Sequence, residues 1–166
     1  MATGNVLLPV QAAKISGSFI TTGATISGGD GPWKLLYDAS ATWNAIWQFR
    51  LPDNYASSPL LAFQFSMASA TGGTIDLECD VMAVTPGDAA DVDTGSFDTI
   101  NEIAGGVTCP ATAGHVTGGT ITLTNFDSAA AGDLIFIRLH RDHDDADDTA
   151  VGNLELLGLS LVYTTT

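Results

Sequence analysis

The sequence predicts an all-β fold, a single antiparallel β-sandwich domain, and three features of the chain lead there. The first is alternation. In residues 42–52, Trp43, Ala45, Trp47, Phe49 and Leu51 fall on one side of an extended chain, with Thr42, Asn44, Gln48 and Arg50 on the other. A period of two puts one face on a core and turns the other toward water or a partner. The second is punctuation by turn clusters, such as Ser27-Gly28-Gly29-Asp30-Gly31-Pro32, Ala70-Thr71-Gly72-Gly73 and Thr85-Pro86-Gly87-Asp88. Many short strands between such turns fit a sandwich or a closed barrel. The third is negative: no stretch sustains apolar residues at helical spacing.

The elements follow in order. Residues 1–14 read as an N-terminal arm or first edge strand, with the sandwich domain over 15–166. Strands are predicted at 15–22, 33–38, 42–51, 59–68, 74–84, 97–103, 116–125, 133–141 and 153–164. Leu61, Phe63, Phe65 and Met67 share one face. Ile75, Leu77, Cys79 and Val81 point inward, leaving Asp76, Glu78 and Asp80 outward. Leu157, Leu159, Leu161 and Tyr163 line the last strand, and Trp43, Trp47, Phe49, Ile121 and Leu123 complete the expected core. A helical turn is expected near residues 125–130, closed by Gly132. Residues 134–137 (Leu-Ile-Phe-Ile) are apolar on both faces, so that strand is central or meets another subunit.

Composition narrows the function. At 166 residues the chain suits one domain with a sizeable core. Its 19 acidic against 5 basic side chains give a net charge of −14. Phosphate backbones repel such a surface, so no nucleic-acid partner is expected. No run reaches the roughly 20 apolar residues of a membrane helix. Residues 6–10 are too short for a signal h-region and lack a basic flank, so no Sec-type export is expected. Cys79 and Cys109 could form one disulfide but do not make a disulfide framework, and Cys79 sits on an apolar face where a free thiol packs well.

Candidate chemistry is sparse. Residues 141–148 hold five aspartates, Asp142, Asp144, Asp145, Asp147 and Asp148. Carboxylates at this density suit a hard cation, and they make a weak calcium candidate. The loop departs from the EF-hand pattern at Ala146, so a solvated hairpin tip is the plainer reading, with no tight metal site and no cofactor. Asp76, Glu78 and Asp80 are spaced about 7 Å apart along a strand face, near glycosidase spacing, yet a polar outer face explains them equally. His115, His140 and His143 have no nucleophile elbow to serve, and P-loop, dinucleotide and HExxH patterns are missing. No catalytic residue is assigned and no enzyme is expected. Trp33, in Gly31-Pro32-Trp33-Lys34, is the best candidate for an exposed aromatic, with Tyr55 second.

Four segments carry a family resemblance. They are residues 47–55 (WQFRLPDNY), 84–88 (VTPGD), 131–142 (AGDLIFIRLHRD) and Asp148 with 154–163 (LELLGLSLVY). In this order, over about residues 43–163, the chain resembles a family of small β-sandwich virion proteins of tailed bacteriophages. The resemblance implies a jelly-roll-like sandwich on the phage particle, as a capsid decoration protein or a fibre-tip module. A lone domain without coiled-coil heptads, and acidity suited to the outside of a DNA-filled shell, favour decoration.

The expected role is then a structural protein on the outer capsid surface that binds the major capsid protein and stabilises the shell by burying surface across its joints. A homotrimer is expected, because the N-terminal apolar arm and the two-sided strand need cover. Val6, Leu7, Leu8, Leu134 and Phe136 are the interface candidates. The alternative is a receptor- or carbohydrate-binding module of a tail fibre, which an exposed Trp33 or Tyr55 beside carboxylates would favour. A glycan hydrolase would instead need two carboxylates facing across a groove.

Overall fold

The computed structural model describes residues 2–16, 31–89 and 92–166. Two antiparallel sheets face each other in a jelly-roll-like sandwich. Its strands are β1 (Thr3–Leu7), β2 (Lys14–Ser16), β3 (Leu35–Tyr37), β4 (Asn44–Arg50), β5 (Tyr55–Met67), β6 (Thr74–Ile75), β7 (Leu77–Val84), β8 (Val107–Thr108), β9 (Thr117–Thr122), β10 (Leu134–Arg141) and β11 (Leu154–Thr165). One sheet runs β1-β11-β5-β9, with β3 on the same side of β11 as β1. The other runs β2-β4-β10-β7, and β6 and β8 form a small separate pair. The described helical content is one 3-10 turn at Val10–Ala12.

The core forms where the inner faces meet. Leu61, Phe63, Phe65 and Met67 from β5 pack with Ile135, Ile137 and Leu139 from β10 and with Ala45 and Trp47 from β4. Burial of each large apolar side chain contributes about 1.5–3 kcal/mol, which orders the two sheets face to face. Trp47 also donates its indole N–H to the Pro9 carbonyl at 2.9 Å, tying the N-terminal segment to the opposite sheet. The predicted arm is thus an edge strand, β1, hydrogen-bonded to β11 over five registered pairs.

Several expectations need correction. Leu157 is not in the core: Leu154 and Leu156 are buried, and a register shift between Leu156 and Gly158 returns Leu159, Leu161 and Tyr163 to the inside. One extra residue flips strand parity, which strict alternation cannot register. Trp43 is half-buried at the core's margin. β5 begins at Tyr55 and not at Pro59, because Ser58 takes a positive φ of 54° and the ladder shifts register across Ser58 and Pro59. Proline lacks the N–H for a regular ladder, so a bulge is where a strand accommodates it.

Residues 97–103 make one bridge, Asn101 with Cys79, and not a strand. The segment is pinned by side chains: Asn101 donates to the carbonyls of Cys79 and Asn125 and accepts from the Asn125 N–H. The expected helical turn near 125–130 is a set of tight turns. Asp127 and Ser128 both have positive φ, which a right-handed helix cannot contain. Asp127 is held there by accepting the Ala83 N–H and donating its own N–H to Asp98. The predicted strand 74–84 divides at Asp76, and predicted residues 17–22 lie outside the described residues.

Candidate functional site

Two regions of the surface concentrate functional groups. The first is an open groove of about 740 Å³ that crosses the outer face of the five-stranded sheet from β9 to β1. Gln64 on β5 stands in its floor, registered between Gly118 on β9 and Gly158 on β11. A Cβ at Gly158 would lie 3.2 Å from the Gln64 Oε1, and one at Gly118 would collide with the Phe63 carbonyl. The two glycines therefore leave the exposed amide standing in a shallow trough. Ser160, opposite Ala62 on the outer face, adds a hydroxyl, while Leu157, displaced outward by the bulge, supplies apolar wall.

Trp33 forms one side of this groove and is 58% exposed, as the sequence anticipates. Its neighbour Lys34 is buried and ion-paired with Glu155 on β11, and Ser66 Oγ donates to the second Glu155 oxygen at 2.8 Å. A large exposed indole is thus held beside the sheet by a buried anchor. Tyr55, the other aromatic candidate, is half-buried, its ring tilted against Phe126 and Tyr163 at centroid distances of 5.8 and 5.5 Å. Among the described residues, no carboxylate lines the groove.

The second region is the acidic end of the sandwich. Asp76, Glu78 and Asp80 lie on the outer side of the four-stranded sheet, yet all three are buried and not solvated as alternation implied. The cause lies in the cross-strand register. Arg138 stands opposite Asp80 and His140 opposite Glu78 on β10, and Phe97 lies over the Arg138 guanidinium at 4.4 Å. Arg138 donates from Nε to both Asp80 oxygens at 2.9 and 3.1 Å, and His140 Nε2 sits 2.5 Å from Glu78 Oε2. Asp76 has no such partner. Burial, then the charges of Glu78, Asp145, Glu102 and Asp142, push its carboxyl up to about 7.

The aspartate-rich loop between β10 and β11 divides into separate roles. Asp148 is taken by Arg141, whose Nε and Nη2 contact its two oxygens at 2.7 and 2.6 Å while Nη1 and Nη2 donate to the carbonyls of Gly152 and Ala150. Arg141 is fully buried, a keystone that sequence reasoning passed over because it stands beside Arg138 and His140 at the polar end of its strand, next to the aspartate-rich loop. Asp147 accepts the Gly105 N–H, and Asp144 is exposed beside His143. Asp142 donates its N–H to the Asp76 carbonyl, which brings the loop to the acidic cluster. The predicted tip is therefore largely a structured connection.

The interface candidates separate as well. Leu7 is 75% exposed and Val6 half-buried, but Leu8 is in the core. Leu134 and Phe136 are half-buried on the outer face of β10, where Val84 and Met82 stand opposite them. Cys79 and Cys109 are both buried as free thiols.

No protein-family model matches the chain. No curated protein matches it either. Solved structures do. A family 35 carbohydrate-binding module from Clostridium thermocellum aligns over 95% of this chain and 97% of its own, at 13% identity and a TM-score of 0.50. The CBM35 from Cellvibrio japonicus Abf62 aligns over 98% and 99%, at 10% identity and 0.50. The xylan-binding module CBM15 aligns over 99% of both chains, at 11% identity and 0.50. The chain shares the β-sandwich fold of carbohydrate-binding modules. At these identities the likeness is one of fold.

Proposed function

We propose that the protein is a non-catalytic glycan-binding module that grips a saccharide in the groove over β9, β5 and β11. The observation that carries this is Trp33, exposed beside a trough whose floor presents Gln64 between two glycines. A sugar ring offers an apolar face of C–H groups and a rim of hydroxyls. An indole takes the first, while an amide with a neighbouring hydroxyl and main-chain groups takes the second. The sandwich neighbours whose names specify carbohydrate binding lend the reading further support. Glu78 and Asp80 are each engaged by a basic partner, and the groove's described lining carries no facing carboxylate pair of the kind hydrolysis would need.

Titration of a panel of soluble oligosaccharides, followed by tryptophan fluorescence and calorimetry, tests the proposal. Binding with an indole fluorescence change, weakened about tenfold or more in Trp33→Ala, is the expected result. Unchanged affinity in that variant would remove the groove from the account.

The decoration reading keeps one specific observation in its favour. The groove is rimmed by Leu7 at 75% and Val116 at 61% exposure, apolar side chains that a protein partner would cover. On that reading the occupant is the major capsid protein or another copy of this chain, and the site is the outer capsid surface of a virion. Sedimentation of the free protein, together with its assay on purified phage heads, separates the two: stable trimers or head binding without any saccharide response would favour decoration.

A further inference from the structure

We propose that Asp76, Glu78 and Glu102 form a calcium site that fastens the acidic end of the sandwich. One carboxylate oxygen from each of the three can be chosen so that all lie within 4.8 Å of one another. Oxygens bound to a single calcium at 2.3–2.6 Å are separated by at most about 5 Å, so the three already fit around one ion. The second observation is independent of the clustering. Asp76 is 2% exposed, and its Oδ2 is buried with no hydrogen-bond partner. An ionised oxygen in that condition is costly unless a cation completes it.

The neighbourhood selects the ion. All three ligand groups are carboxylates, which favours a hard cation over zinc or copper. His140 is engaged through Nε2 with Glu78 Oε2, a contact that fixes the orientation of that carboxylate. The ligands come from separate stretches: Asp76 and Glu78 flank the start of β7, and Glu102 follows the Asn101 bridge that fixes its segment to Cys79. Such a set does not impose a regular octahedron, and calcium accepts irregular geometry more readily than magnesium, with water completing its six to eight oxygens. The site thus lies at the root of β7 and not on Asp144, Asp147 or Asp148.

The test uses the full chain, stripped with a chelator, in calorimetry and thermal melts with calcium, magnesium and zinc in separate arms. One calcium per chain is expected, with a dissociation constant below about 1 mM and magnesium weaker by about tenfold or more. At a hundredfold excess over that constant the melting temperature should rise by about 5–10 °C. Asp76→Asn and Glu102→Gln should each weaken binding about tenfold or more, and exposed Asp144→Asn should bind as the parent does. Glu102 is exposed, so its variant keeps the test alive if Asp76→Asn folds poorly. Absence of heat and of any melting shift at about 10 mM calcium would overturn the proposal. So would undiminished binding in Glu102→Gln, or zinc binding more tightly than calcium.

Discussion

Lys34, just ahead of β3, and Glu155 on β11 form an ion pair almost closed off from water, with side-chain exposures of 9% and 12%. Ser66 on β5 holds the other Glu155 oxygen, so three consecutive strands of one sheet converge on a single carboxylate. Trp33 immediately precedes Lys34 in the chain. The exposed indole therefore inherits its position from a buried charge pair, and the groove depends on that pair without Lys34 or Glu155 lining it.

Lys34→Met should cost about 3 kcal/mol, because Glu155 is left as a nearly buried carboxylate without its counter-charge. Adding Glu155→Gln removes that stranded charge and should recover most of the loss. Urea denaturation of both single variants and the double variant gives the coupling directly. A Lys34→Met variant as stable as the parent would show that the pair contributes nothing net.

Arg141→Lys should be nearly as damaging as Arg141→Ala. The guanidinium contacts Asp148 with two nitrogens and also serves the Gly152 and Ala150 carbonyls, a planar fork that an ammonium cannot reproduce. Arg141→Ala leaves Asp148 buried without its counter-charge, at a cost of about 3–5 kcal/mol. Arg141→Lys keeps the charge but loses the two-nitrogen contact and the carbonyl bonds. The denaturation midpoint is the readout, and recovery by lysine would reduce the role of Arg141 to charge alone.

The inner faces of β4, β7 and the 61–67 stretch of β5 were legible in the sequence because apolar residues alternate there, from Ala45 and Trp47 to Leu77 and Val81. β10 is apolar on both faces over 134–137, so its inward Ile135 and Ile137 could not be told from Leu134 and Phe136. Illegible were the places where one residue breaks the period: the bulge before Gly158 that expels Leu157, and the Ser58–Pro59 irregularity in β5. Trp33 was legible as a candidate, since Gly31 and Pro32 mark a turn before it. Its partner Gln64 was not, because a lone polar residue on an outer face becomes a site only once Gly118 and Gly158 stand beside it. The acidic stripe of β7 was assigned to the correct side of the sheet. Its burial depends on Arg138, His140 and the 97–103 segment, which are remote in sequence.

Stability should fall as the solution turns alkaline, and Cys79 supplies part of the fall. Its thiol is fully buried, and burial, followed by the nearby Asp80 charge, raises its pKa well above the ordinary 9.0. The unfolded chain releases this proton near pH 9 while the folded chain retains it. The raised folded pKa therefore gives stability that is fully present below pH 9 and lost as pH rises above it, by about 1 kcal/mol between pH 9 and pH 10. Urea titrations at the two values should show the drop, and Cys79→Ala should show about that much less. An equal slope in the variant would assign the effect to other groups, such as buried Tyr37, whose pKa is also pushed up.

Gly158→Val should abolish saccharide binding and spare the fold. Gly158 is not among the positive-φ glycines, so a β-branched residue suits its strand backbone. A Cβ there already stands 3.2 Å from Gln64 Oε1, and the valine methyls would occupy the trough between that amide and Trp33. The melting temperature should stay within about 2–4 °C of the parent, the shift that roughly 1 kcal/mol produces in a chain of this size. Leu7→Ser alters the apolar rim without touching the floor, so it should leave saccharide affinity in place and reduce any self-association. If Gly158→Val binds sugar like the parent while Leu7→Ser changes the sedimentation coefficient, the groove is a protein-docking surface and its saccharide assignment fails.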